Sequence, residues 1–153
     1  MLTVGWPSVA NDIAIASALC RQFEGFFSRP YLCPANVPTI GYGSTRYEDG
    51  TKVSLGDAPI TRERAEQLLQ GELEHCKKAV QKYCPDVSEN ASAALIDFVY
   101  NLGAGRLMAS TLRKRINAGD MDGAKVELMK WVRGGGKVLP GLVKRRLAES
   151  GLL

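Results

Sequence analysis

The chain has 153 residues, 45% hydrophobic and 24% charged, which suits one soluble globular domain with a core of its own. Its four cysteines form no C-x-x-C pair and His75 is its one histidine, so a zinc site built mainly from histidine, or a Ser-His-Asp triad, has almost nothing to draw on. The net charge of +4 is uneven: residues 103–153 hold 11 Lys/Arg against 4 Asp/Glu, and the remainder 9 against 12. A basic C-terminal third suits a polyanionic partner (nucleic acid, anionic lipid or the bacterial envelope) and equally a set of solvated helix faces.

Near the start, "VANDIAIASALC" leans apolar, but Asp12 interrupts it and it falls short of the roughly 20 residues a membrane span needs. With no basic n-region, the chain is expected to be made and held in the cytoplasm, without stable membrane insertion. "SVANDIAIASALCRQFEG" reads as a first helix, capped by Ser8 or Asn11, with Ile13, Ala16, Cys20 and Phe23 at helical spacing and Gly25 near its stop. Residues 31–60 change to short β-like pieces, "TIGYGST" and "RYEDGTKVSL", and Asp49-Gly50 signals a hairpin. Thr61 caps a long helix with Ala65, Leu68, Leu69, Leu73, Cys76, Val80 and Tyr83 on one side, ending at Cys84-Pro85.

Ser88 opens "SENASAALIDFVYNLGAG", apolar all round its centre and therefore buried, with Gly103 at the C-cap. "STLRKRINAG" and "DMDGAKVELMKWV" follow, capped by Ser110 and Asp120; "RGGGKVLPG" reads as a loop and "LVKRRLAES" as a last basic helix. The expected architecture is α+β in a single domain over 1–153. A small antiparallel β lobe over about 25–60 and a larger helical lobe over about 61–153, with the first helix, are joined by the long helix around a cleft.

One stretch, "FEGFFSRPYLCPANVPTIGYGST", concentrates chemistry. Glu24 sits among Phe23, Phe26 and Phe27, and an apolar setting disfavours the charged form of a carboxylate, as a general acid near neutral pH requires. Cys33 follows in a loop fenced by Pro30, Pro34 and Pro38, and Thr39 opens the next strand; all three can face the cleft mouth. A thiol next to a carboxylate is expected to stay protonated at neutral pH. His75, in "GELEHCKKAV", reads as an exposed helix position outside the cleft.

The spacing Glu24-x8-Cys33-x5-Thr39, followed at once by Ile40-Gly41-Tyr42-Gly43-Ser44-Thr45, resembles the catalytic signature of the phage-type lysozymes, the muramidase endolysins of glycoside hydrolase family 24. "ITRERAEQLL", "ALIDFVYNLGAG", "STLRKRINAGDMDGA" and "KWVRGGGKVLPGLVKRR" look like consecutive segments of that family, in order. The resemblance implies a lysozyme-like fold and hydrolysis of the β-1,4 bond between N-acetylmuramic acid and N-acetylglucosamine in peptidoglycan, with no cofactor and no metal. Glu24 would protonate the glycosidic oxygen, and Cys33 and Thr39 would hold and activate a water on the opposite face, with inversion. Tyr42, Tyr100, Asn101 and Thr111 would line the substrate cleft, and Trp131 with Gly134, Gly135 and Gly136 would sit where the glycan could be cradled, core packing being the role expected of Trp131. One of Lys144, Arg145 and Arg146 would approach Glu24 or bind the acidic wall.

Two residues depart from the family pattern: Cys33 stands where most members have Asp, and Ser44 where some carry His. Relatives also suggest two cysteine pairings. A Cys76–Cys84 bridge requires the helix to end near residue 81, because eight helical residues span about 12 Å. A Cys20–Cys33 latch would hold the thiol until release. The implied partners are peptidoglycan glycan strands and a holin for export, with no nucleic acid, and the protein would act as a monomer, in the host cytoplasm until lysis and then at the periplasm and cell wall. Other readings are a lytic transglycosylase, a Cys33–His75 amidase or peptidase, and a non-catalytic cationic protein binding membranes or nucleic acid.

Overall fold

The computed structural model describes residues 11–153; the Ser8 cap lies outside them. Helix α1 (Asn11–Glu24) turns Ile13, Ala16 and Cys20 inward. Strands β1 (Phe27–Leu32) and β2 (Pro38–Gly41) follow, then α2 (Arg62–Tyr83), α3 (Glu89–Leu102), α4 (Ala104–Ala109), α5 (Thr111–Asn117) and α6 (Met121–Leu128). A short hairpin, β3 (Arg133–Gly134) and β4 (Lys137–Val138), leads into α7 (Pro140–Ser150).

The helix ends are set by local chemistry. Thr61 Oγ1 accepts from Arg64 N at 3.1 Å, Ser88 Oγ from Ala91 N at 3.1 Å, Ser110 Oγ from Arg113 N at 3.1 Å and Asp120 Oδ1 from Gly123 N at 2.9 Å. Each satisfies an amide that the helix itself leaves unpaired. Gly103 ends α3 by taking φ +93°, which residues with a Cβ rarely adopt.

Nine consecutive residues of α3, Ala91–Val99, are buried, so this helix is the axis of the molecule. Around it the main core gathers α1, α2, α4, α5 and α6 through Ile13, Leu69, Leu73, Leu107, Leu112 and Leu128. Trp131 packs edge-on against Phe98, ring centres 5.7 Å apart, in the core role expected of it. A second, small cluster of Ile40, Val53 and Leu68 serves the β lobe, and Ile60 packs against both clusters. The lobes share α2, whose 22 residues cover about 33 Å.

β1 and β2 are antiparallel, pairing Phe27 with Gly41, Tyr31 with Thr39 and Leu32 with Pro38, with an irregularity between Phe27 and Tyr31. The hairpin expected at Asp49-Gly50 forms its turn, with Gly50 at φ +84°, but continues only as an isolated Arg46–Lys52 bridge. Of its arms only Val53 and, in part, Tyr47 are buried, so little apolar surface is there to extend the strands. Two elements depart from expectation. α4 forms where no helix was read, because its six residues bury only Leu107. The glycine run is a hairpin and not a loop, with Gly135 at φ +58° and Gly136 at φ +79° making its two-residue turn.

The Cys76–Cys84 bridge is not made: α2 stays helical through Tyr83, and both cysteines are free. The thermal midpoint should therefore be the same with and without reductant. A disulfide is worth about 2–4 kcal/mol, so a fall of about 4 °C or more on reduction, followed by calorimetry, would contradict the free-thiol state.

Candidate active site

α1 stops at Glu24 because Gly25 turns the chain at φ +71°, leaving the Glu24 carboxylate at the junction of the two lobes. The Gly-Tyr-Gly run explains how the β lobe reaches it. A Cβ on Gly41 would lie 3.1 Å from the Ala65 side chain, so the absent side chain lets β2 close on α2. A Cβ on Gly43 would lie 2.9 Å from Glu24 Oε2, so the second glycine makes room for the carboxylate itself.

The neighbours of Glu24 differ from those expected. Phe26 packs on Tyr42 at 5.5 Å and Phe27 stacks on Tyr31 at 4.3 Å, so neither closes an apolar cage. Glu24 Oε1 instead accepts from Arg145 Nη1 at 2.6 Å, and the guanidinium lies 5.7 Å over the Phe23 ring. Of the three basic candidates on α7, Arg145 is the one that approaches. Lys144 is exposed, and Arg146 pairs with Glu149 at 2.6 Å, both fully buried.

Arg145 is held from the other side by Asp97 of α3, with Nε to Oδ2 at 2.9 Å and Nη2 to Oδ1 at 2.8 Å. Burial works against its charge, but the hydrogen bonds and field of Asp97, then those of Glu24, hold it firmly protonated. Cys20 Sγ donates to Asp97 Oδ1 at 3.2 Å, and burial pushes that thiol far up its scale. The Cys20–Cys33 latch is thereby corrected: α1 turns Cys20 into the core, away from the part-exposed Cys33 loop, and both are free.

The Cys33 loop curls back on itself. Cys33 N donates to Val37 O at 3.1 Å, Asn36 N to Cys33 O at 2.8 Å, and Asn36 takes φ +59°. Hydrogen bonding from the backbone of Val37, against slight burial, and then from Ala35 and the Thr39 hydroxyl, lowers the Cys33 pKa. The upward shift expected from a neighbouring carboxylate is thus reversed in direction, because the turn aims amide dipoles at the sulfur. Thr39 Oγ1 also donates to Val37 O at 2.8 Å, so its single proton is shared and its lone pairs are left to accept. Burial and then the fields of Glu24 and Cys33 raise the Tyr31 hydroxyl, so Tyr31 lies within electrostatic reach of both.

The family model for phage lysozyme matches residues 21–149. The chain belongs to the phage lysozyme family. It is 35% identical over 139 residues to the endolysin of Acyrthosiphon pisum secondary endosymbiont phage 1, covering 88% of this chain and 91% of that one. It is 36% identical to the SAR-endolysin of bacteriophage PS119, covering 90% and 83%. The solved endolysin from Escherichia coli O157:H7 phage FAHEc1 superposes with a TM-score of 0.81 at 32% identity, over 99% of this chain and 95% of that one.

In this phage lysozyme the four residues expected on the cleft wall occupy different settings. Tyr42 is 6% exposed and belongs to the main core, so what it gives the site is its backbone, whose carbonyl accepts from the Tyr100 hydroxyl at 2.5 Å. Asn101 Oδ1 accepts from Arg146 Nη2 at 2.8 Å, and Thr111 stands exposed on the first turn of α5 outside this network. His75 is exposed, as expected of its helix face, but it borders a cavity of 520 Å³ shared with Tyr47, Glu72, Cys76 and Tyr100. Cys33 does not line that cavity. Among the described residues, no three His, Cys, Asp or Glu side chains are placed to hold a metal.

Asp97, Tyr31 and Glu72 escaped the sequence reading. Glu72 lies beside Leu73 on α2, and its position next to a buried leucine was the available signal. Burial raises its pKa to about 7, opposed by the nearby Ser44 and Tyr100 hydroxyls, yet neither Glu72 Oε1 nor Ser44 Oγ has a hydrogen-bond partner.

Folding raises this carboxyl from an ordinary 4.5, so below that pH both folded and unfolded chains keep the proton and nothing is lost. Between 4.5 and about 7 the unfolded chain ionises first and stability falls; above about 7 the loss is complete. Glu72→Gln should match the parent below pH 4.5 and exceed it by about 3 kcal/mol at pH 8, as measured by urea unfolding. Equal stabilities at pH 8 would contradict the buried carboxyl.

Proposed function

We propose that the protein is a peptidoglycan muramidase of the endolysin type, hydrolysing the β-1,4 bond between N-acetylmuramic acid and N-acetylglucosamine. The observation that carries this is Glu24, fixed by Arg145 at 2.6 Å, together with a β lobe that carries Cys33 in its loop and the buried Thr39 on β2. Family membership supports the same reading.

In the proposed mechanism Glu24 gives its proton to the glycosidic oxygen as the bond to the anomeric carbon breaks. Water attacks that carbon from the opposite face and passes a proton to the Cys33 thiolate, while the Thr39 oxygen accepts the other water hydrogen. One proton leaves Glu24 and one arrives on sulfur, so charge balances, and the single displacement inverts the anomeric centre. The lowered pKa of Cys33 favours this use of a thiol, since more of it is ionised at neutral pH. Tyr42, Tyr100, Asn101 and Thr111 remain the proposed substrate-binding set, with Tyr42 acting through its backbone.

Among the described residues no helix is long and apolar enough to cross a membrane. We read the protein as a monomer that stays in the host cytoplasm until a holin lets it reach the periplasm. Lysis of cells expressing it with no holin present would oppose that route.

Turbidity loss of permeabilised Gram-negative cells tests the chemistry. Glu24→Gln should fall to about one per cent of parent or less with the fold intact. Cys33→Asp should stay active, whereas Cys33→Ala should lose at least about tenfold, because Thr39 positions water but cannot take its proton. Proton NMR of fresh product should show the α-anomer first. A β-anomer, or a 1,6-anhydro end, would replace the inverting hydrolase with a retaining enzyme or a lytic transglycosylase.

A further inference from the structure

Arg145 poses a difficulty for the acid it touches. A guanidinium at hydrogen-bond distance favours the ionised carboxylate, whereas a general acid has to hold a proton when substrate arrives. We infer that Asp97 is a positioning residue for the reaction: it takes Nε and Nη2 of Arg145, offsets the guanidinium charge, and leaves Nη1 to orient a Glu24 that can still bind a proton. This rests on Glu24 as the proposed acid.

Three elements meet at this point. Asp97 is fully buried on α3, the Arg145 side chain is 5% exposed on α7, and Glu24 ends α1. Asp97 is the one carboxyl side chain in the buried run Ala91–Val99, and its oxygens are satisfied by two guanidinium N–H groups and the Cys20 thiol. A buried ion pair is a weak source of stability, and an apolar side chain in its place is often as stable or more so. Packing alone therefore gives little reason for a carboxylate here. Charge gives a better one: a lone arginine at Glu24 would be a cation facing one anion, but with Asp97 the arginine lies between two.

The other groups around the pair are limited. From α1 comes Cys20, which burial keeps protonated. From β1 comes Tyr31, and from α3 itself Tyr100, both raised chiefly by burial. From α7 come Arg146, lowered by burial, and Glu149, raised by burial. From α2 comes Glu72, raised to about 7.

The test uses the full chain with Glu72→Gln as background, so that this nearby titration is absent. Asp97→Asn keeps shape and one acceptor but removes the charge. Carbon-13 NMR of labelled glutamate carboxyls should show the Glu24 titration about one pH unit lower in Asp97→Asn than in the background. The alkaline limb of kcat/KM should move acidward by the same amount, a loss of about tenfold above the old midpoint that is recovered at lower pH, with KM little changed. A purely structural role would lower activity by one factor at every pH and leave the Glu24 titration in place, which overturns the proposal. A Glu24 titration that moves while the activity limb does not also overturns it, and Glu24→Gln that remains active would trace that failure to the choice of acid. Asp97→Ser, smaller and open to water, is measured in parallel in case the amide does not fold. If neither variant folds, Asp97 is a structural residue and the inference fails.

Discussion

One guanidinium ties this molecule together. Arg145 joins α7 to α1 through Glu24 and to α3 through Asp97, where each helix alone would leave a buried charge unmatched. Removing the guanidinium would leave the buried Asp97 carboxylate without its cation, a larger penalty than the net stabilisation of the intact set. The arrangement fixes the direction of the Glu24 carboxylate more tightly than the end of a helix could.

The β lobe meets that fixed carboxylate through backbone. Gly43 lets the strand end lie against Glu24 Oε2, and the Tyr100 hydroxyl ties the Tyr42 carbonyl to α3. The Cys33 loop is then a self-contained turn whose amides tune the sulfur. In the proposed reading the site divides its work: the helical lobe orients the acid, and the β lobe carries Cys33 in its loop and Thr39 on β2. Glu72, near Ser44 at the joint between them, keeps one oxygen without a hydrogen-bond partner.

Most helix ends were legible in the sequence because a cap is a contact between residues three apart, as at Thr61, Ser88, Ser110 and Asp120. The candidates Glu24, Cys33 and Thr39 were legible through spacing and family likeness. What failed had partners far along the chain or depended on turn geometry. Asp97 hid inside an apolar run because its partner lies 48 residues away. The choice of Arg145 over its neighbours follows from which face of α7 meets Glu24 across 121 residues. The phenylalanines around Glu24 suggested an apolar cage, but proximity in sequence did not give proximity of rings. The Cys33 thiol was expected to be held protonated by a neighbouring carboxylate because sequence carries no sign of which way the amides of its turn point.

The distance in sequence between Glu24 and Arg145 has a consequence for biosynthesis. The acid is made early, yet its cationic clamp is translated 121 residues later. At roughly 5–20 residues per second, synthesis leaves Glu24 without its partner for several seconds, and closing so long a loop is among the slow steps of folding. A ribosome-bound fragment that already displays Glu24, Cys33 and Thr39 would lack the contact that aims the carboxylate. Long-range closure thus acts as a check on completeness: incomplete chains, whether stalled or clipped before α7, carry the site's residues without its geometry.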